Sequence, residues 1–152
     1  RYICTMDCDG AHHPKDLKKM LKKIENCDLV NTNRFLRKGS LLNWEVYRVF
    51  ITKTRYFLID LFLNTKLDSS GAFRLYDTTK IKLGDILLAK DNNYNFFWES
   101  LFYLEKKYKI MEIPVTLSTR SLGRSKMKYK DLFFGLLYLV KIYFKSNYIN
   151  KN

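Results

Sequence analysis

The chain has 152 residues, which is one domain or part of a larger one. A hydrophobic content of 47% excludes wholesale disorder, and three cysteines (Cys4, Cys8, Cys27) without Cys-x-x-Cys or Cys/His spacing read as ordinary thiols and exclude a zinc or disulfide scaffold. Twenty-eight Lys and Arg against 15 Asp and Glu leave a net charge of +13, an excess that attracts phosphate in nucleic acid, anionic lipid or small molecules.

Aromatic residues make up 16%, whereas Gly (6) and Pro (2) are few, so long helices are expected. Arg1 opens directly onto an apolar stretch, and residues 2–6 (YICTM) predict a buried strand that ends in Asp7-Cys8-Asp9. Pro14 suits the first turn of a helix, and Leu17, Met20, Leu21 and Ile24 follow at spacings of three and four. Lys15, Lys18, Lys19, Lys22 and Lys23 fill its other face. Residues 28–31 (DLVN) predict a second strand, and this strand–helix–strand order points to an α/β domain with a partly parallel sheet. A loop at Gly39-Ser40 leads to a long helix over residues 41–63, a turn at 68–71 (DSSG) and a strand at 72–76 (AFRLY). A helix over 94–108 and a strand over 109–115 follow, with Pro114 marking an edge or a strand end.

The last helix is expected over 131–148. Its stretch 132–144 carries one charge, Lys141, and would be about 20 Å long, short of the ~30 Å hydrocarbon core. Lys126, Lys128 and Lys130 precede it, Lys141, Lys145 and Lys151 lie along or after it, and Tyr138, Tyr143 and Tyr148 are amphipathic rings suited to headgroup depth. The segment therefore reads either as a core helix or as a helix lying on a membrane surface. No apolar run reaches the ~20 residues that span a bilayer.

Two groups of residues carry chemistry. Asp7 and Asp9, at i and i+2 past a strand end, can turn to one side and offer hard oxygen ligands to Mg²⁺ or Mn²⁺. The adjacent His12 and His13 point in different directions and read as loop residues or a phosphate contact. Arg34, Arg48, Arg74 and Arg120, with Ser125 and Lys126 in RSLGRSK, form a phosphate-binding set if they converge and ordinary surface if they do not. Nucleic acid is not an expected partner, because no RNA-binding, zinc-finger or helix-turn-helix signature occurs.

Taken in order, DCDGAHHPK, NRF, the pair Trp44 and Arg48, DSSGAFRLY, the helical Glu99, EIPV and RSLGRSK resemble family 2 glycosyltransferases of the polyprenyl-phosphate type, the dolichyl-phosphate mannosyltransferases in particular. The similarity runs over residues 2–140. It implies a GT-A-like fold whose N-terminal strand, with nucleotide-base contacts and a further acidic group, lies outside this sequence. Residues 1–128 would be the C-terminal portion of that domain, and 129–152 an amphipathic membrane-surface helix and tail. It also implies inverting, metal-dependent transfer of a sugar, expected to be mannose from GDP-mannose, onto dolichyl or other polyprenyl phosphate. The location would be peripheral, at the cytoplasmic face of a membrane, with a small anchoring subunit as a further partner.

By motif, Asp7 and Asp9 would bind the metal. Asp9, Arg48 and Arg120 would serve catalysis, and Arg34, Arg48, Arg120, Ser125 and Lys126 would bind the donor or acceptor phosphates. Ala11 and Phe97 depart from the family pattern, where Gln or Ser and Gln respectively are common, which bears on a third metal ligand and on substrate preference. The alternatives are a UDP-glucose donor, a glycan acceptor, an inactive remnant or a non-catalytic anion-binding module. The isolated chain is expected to turn over little or nothing.

Overall fold

The computed structural model describes residues 1–117 and 129–149. In chain order these form β1 (Tyr2–Thr5), α1 (Pro14–Lys23), a 3₁₀ turn (Ile24–Asn26), β2 (Leu29–Asn33), α2 (Val46–Leu63), β3 (Arg74–Asp77), α3 (Leu83–Ile86), α4 (Asn95–Leu104), β4 (Ile110–Pro114) and α5 (Tyr129–Ile149). The strands make one sheet in the order β1-β3-β2-β4. β3 is antiparallel to both β1 and β2, and β4 is parallel to β2. The expected α/β class with a partly parallel sheet is thus observed. Pro114 ends β4, the outermost strand beyond β2, where its missing N–H costs the ladder nothing.

The pleat divides the core into two faces. Val30, Phe73, Leu75 and Ile113 point to the face covered by Met20 and Ile24, the apolar stripe of α1. Leu29 and Tyr76 point to the other face, where Leu101 and Leu104 of α4 cover them. Because side chains alternate along a strand, Asn31 and Asn33 share the face of Leu29, Glu112 that of Ile110, and Arg74 that of Tyr76. Four polar side chains are thereby sent under α4.

Local chemistry sets the helix ends. His13 caps α1, its Nδ1 accepting from the Lys15 N–H at 3.1 Å, and Pro14 follows. The expected helix over 41–63 begins only at Val46. Residues 40–42 instead pair with Leu117, whose N–H donates to Ser40 O at 2.7 Å and whose carbonyl accepts from Leu42 at 2.9 Å. α2 stops where Asn64 turns left-handed at φ 54°.

α5 packs on α2 and α4 through Leu139 and Ile142, which join Ile59, Leu63, Trp98 and Phe102 in a third buried cluster. One face of this helix is core, while Phe133, Phe134 and Phe144 are 60%, 61% and 66% exposed. Two of the tyrosines, Tyr138 and Tyr143, turn inward, however. Tyr138 donates to Glu99 Oε2 at 3.1 Å, and Tyr143 meets Phe62 edge-on at 5.4 Å, so packing inside the fold claims the rings that suited a headgroup layer.

Glu105, directly after α4, is pushed up to about 7 by burial, against the pull of the hydrogen bond it accepts from Thr65 Oγ1 at 2.7 Å. A folded-state value above the unfolded one means that the folded chain holds the proton longer, so stability is lost as pH rises from about 4.5 through 7. Glu105→Gln should remove that slope, gaining on the order of 1–2 kcal/mol at pH 8 and nothing at pH 4, once partial exposure is allowed for. Urea unfolding at the two pH values checks this.

Candidate functional site

A cavity of about 410 Å³ opens beyond the C-terminal ends of β1 and β2, the place where α/β sheets take ligands. Asp7 and Asp9 form one side, following β1; Arg34, following β2, and Arg48 of α2 form the other. Four of the residues singled out from sequence are therefore brought together. Arg120, Ser125 and Lys126 lie outside the described residues. Arg74 does not reach the cavity.

The carboxylate side is shaped by its own backbone. Asp9 Oδ1 accepts from the Ala11 N–H at 3.0 Å across a turn in which Gly10 takes φ 77°. His12 Nδ1 accepts from the Asp7 N–H at 3.0 Å, and its ring stacks on Phe73 at 4.8 Å. Burial pulls the His12 imidazole below its usual range despite the charges of Asp7 and Asp9, which suits a neutral ring used as an acceptor. Both histidines are thus loop and helix-cap groups. Among the described residues no cluster of three metal-ligating side chains occurs. Two carboxylates facing a cavity match a small hard cation that takes its remaining ligands from water and phosphate, and do not match an all-protein cage.

The arginine side depends on a buried polar cluster. Asp68, fully buried, accepts from Arg34 Nε at 2.7 Å, from Arg34 Nη2 at 2.6 Å and from the Arg34 backbone N–H at 2.9 Å. Arg34 also donates to Ser70 Oγ. Burial would lower the Arg34 guanidinium, but the charge and hydrogen bonds of Asp68 hold it above its ordinary value. Its fork is thus engaged by protein. Glu112 accepts from Asn31 Nδ2 at 2.8 Å, Asn33 Nδ2 at 2.7 Å and the Asp68 N–H at 2.9 Å, which locks the 68–70 turn onto β2 and β4. Burial raises the Glu112 carboxyl, and those three donors oppose it.

Arg74, also fully buried, donates to the carbonyls of Ser69 at 2.6 Å and Phe97 at 2.7 Å. It ties the same turn to α4 and is a structural cation, not a phosphate ligand. Phe97, one of the two departures noted above, lines the cavity, as does Ala11.

Two cations remain available. Arg48 lies over the Trp44 ring at 4.2 Å, and neither it nor Arg55 forms an ion pair among the described residues. Arg55 was missed from sequence. It lies seven residues after Arg48, two turns along the same face of α2, and that spacing was the available signal. The roles of Asp68 and Glu112 had no such signal, because their partners stand 34 to 81 residues away.

Comparison with known proteins gives three findings. A family model described as glycosyl transferase family 2 matches residues 1–85. The chain is 30% identical over 127 residues to an undecaprenyl-phosphate mannosyltransferase of Micrococcus luteus, covering 82% of the chain and 52% of that protein. It is 27% identical over 136 residues to a polyprenol monophosphomannose synthase of Mycolicibacterium smegmatis, covering 86% and 50% respectively. The chain spans about half the length of these relatives.

Removing one member of a buried ion pair strands the other. Asp68→Asn should therefore lower the unfolding free energy by about 3 kcal/mol, and the double variant Arg34→Met/Asp68→Leu should recover part of that loss. A double-mutant cycle by urea denaturation checks it.

Proposed function

The chain belongs to glycosyl transferase family 2, and from that membership we propose that it is part of an enzyme that moves mannose from GDP-mannose onto a polyprenyl phosphate. The observation that carries the reading is the meeting of Asp7 and Asp9 with Arg34 and Arg48 in one cavity at the strand ends, in a chain whose relatives are named for transfer to undecaprenyl and polyprenol phosphates.

The reaction asks for charge compensation more than for a base. A phosphate monoester has its second pKa near 6, so at neutral pH it is largely a dianion and a competent nucleophile. One of its oxygens attacks the anomeric carbon as the bond from that carbon to the donor diphosphate breaks, with inversion, and no proton need be removed. Arg48 lies where it can hold an anion, and Trp44 beneath it limits its rotamers. Arg34, fixed by Asp68, contributes positive field more than a free fork. Arg120, Ser125 and Lys126 belong to this proposal by motif alone. Asp7 and Asp9 would hold Mg²⁺ or Mn²⁺, which would stabilise the departing diphosphate.

An acceptor of this kind is presented from a membrane, and two exposed stripes suit that surface. Val46, Phe50, Phe57 and Leu61 run along α2, and Phe133, Leu137 and Phe144 along α5, with Lys53, Lys141 and Lys145 among them. Among the described residues no helix is long and apolar enough to cross a membrane. The proposed placement is peripheral, on the cytoplasmic face, with room for an anchoring subunit.

In the intact polypeptide with Mn²⁺ or Mg²⁺, label from GDP-mannose should enter polyprenyl phosphate, and Asp9→Ala should lower the rate at least ~100-fold. Arg48→Ala should act in the same direction. Label from UDP-glucose alone would keep the chemistry and change the sugar; no lipid-linked product from either donor would sink the reading.

A further inference from the structure

The sheet ladder stops short of the carboxylate pair. β1 is in register with β3 from Tyr2 to Thr5, where Thr5 stands opposite Arg74. Past that point side chains tie the chain down. Thr5 Oγ1 donates to the Ala72 carbonyl at 2.6 Å, and the Asp7 N–H, which lies beyond the ladder, donates to His12 Nδ1 at 3.0 Å. Asp9 Oδ1 closes the inner turn on the Ala11 N–H at 3.0 Å.

His12 also seats this loop on the core. Its ring, 8% exposed, stacks on Phe73 with 4.8 Å between centroids and 26° between planes. Phe73 is itself fully buried, in one cluster with Met20, Val30 and Ile113. The histidine therefore does two separable things: it accepts from the backbone of Asp7, and it wedges a flat ring against the sheet. A neutral acceptor is what this position can use. An ammonium or guanidinium has no lone pair to offer, and a further carboxylate would add negative charge where Asp7 and Asp9 already face one cavity. Holding the Asp7 N–H matters because a side chain turns with its own peptide. Were the Met6–Asp7 peptide free to rotate, the Asp7 carboxylate would sample other directions, and ordering it on binding would cost affinity.

Resting on the metal reading above, we propose that His12 is a positioning residue for the cation: accepting the Asp7 N–H at Nδ1 while its ring is wedged on Phe73, it presets the Asp7 carboxylate toward the cavity that Asp9 also faces. Its effect reaches the metal through Asp7, so it is read in metal affinity and not in the fold alone.

The test is Mn²⁺ titration of the intact polypeptide, followed by electron paramagnetic resonance of the free ion with no sugar donor or acceptor present. Wild type should bind, and Asp9→Ala should not. His12→Phe keeps a ring on Phe73 and removes the acceptor; it should weaken Mn²⁺ about tenfold. His12→Asn sets its amide oxygen as many bonds from Cα as Nδ1 is, and should stay within about threefold of wild type. His12→Gln carries its oxygen further out and should behave like His12→Phe, and it decides the matter if His12→Phe does not fold. Thermal unfolding without metal identifies the folded variants. Unchanged Mn²⁺ affinity in folded His12→Phe or His12→Gln, or equal weakening in all the His12 variants, overturns the role of His12 and leaves the metal reading standing. A wild type that binds no Mn²⁺, or binding unaltered in Asp9→Ala, overturns both.

Discussion

The site rests on one row of polar side chains crossing the sheet beneath α4. Arg74 of β3, Asn31 of β2 and Glu112 of β4 stand directly opposite one another in the strand registers. A buried polar row in the middle of a sheet is costly unless its members satisfy each other or the chain around them. Here the satisfaction is directional: Arg74 reaches the carbonyls of Ser69 and Phe97, Asn31 reaches the carbonyl of Asp68, and Glu112 takes the Asp68 N–H. The 68–70 turn is held from three strands at once, and its conformation is imposed by the sheet instead of by its own sequence. Only Asn31 Oδ1 and Arg74 Nε stay unpaired among the buried side-chain atoms of the described residues.

What that turn does is set the charge distribution of the cavity. Asp68, fixed in place, occupies the fork of Arg34, whose charge is still felt by Asp7 across the cavity. Among the described residues, the cavity arginines left without an ion pair are then those of α2, Arg48 and Arg55. The cavity has carboxylates on the β1 side and, among the described residues, cations without a carboxylate partner on the helix side, so its opposite charges are held apart.

The sequence revealed the elements better than their partners. Every strand was visible from short apolar runs, and α1 from its spacing of Leu17, Met20 and Ile24, because those signals are local. The start of α2 was placed five residues early because Leu41 and Leu42 are apolar, yet they pair with Leu117 across a long separation that no periodicity encodes. The short α3 carried no apolar spacing and was not seen. The cavity side chains Asp7, Asp9, Arg34 and Arg48 were legible as chemistry, but that Arg34 is paired and Arg74 is buried follows from register alone. One strand residue more or less would have sent Arg74 to the α1 face.

The apolar composition of α2 conceals an ordered gradient. Trp44, just before the helix, and Arg48 face the charged cavity; Arg55 borders both it and a second, mostly apolar groove between α2 and α5, and Leu58 and Ile59 line that groove. From Arg48 to Ile59 the helix rises about 16 Å, so one rigid element runs from a charged lining to an apolar one without a hinge. That gradient needs a second wall, and α5 supplies it through Leu132, Leu136 and Leu139, held by Gly135 against α4 and by Tyr138 on the buried Glu99. The same two helices bear the exposed phenylalanines outside and the groove inside. A helix that is apolar nearly all round therefore has a use on each side here: one side completes the fold, one lines the groove, and the third is exposed.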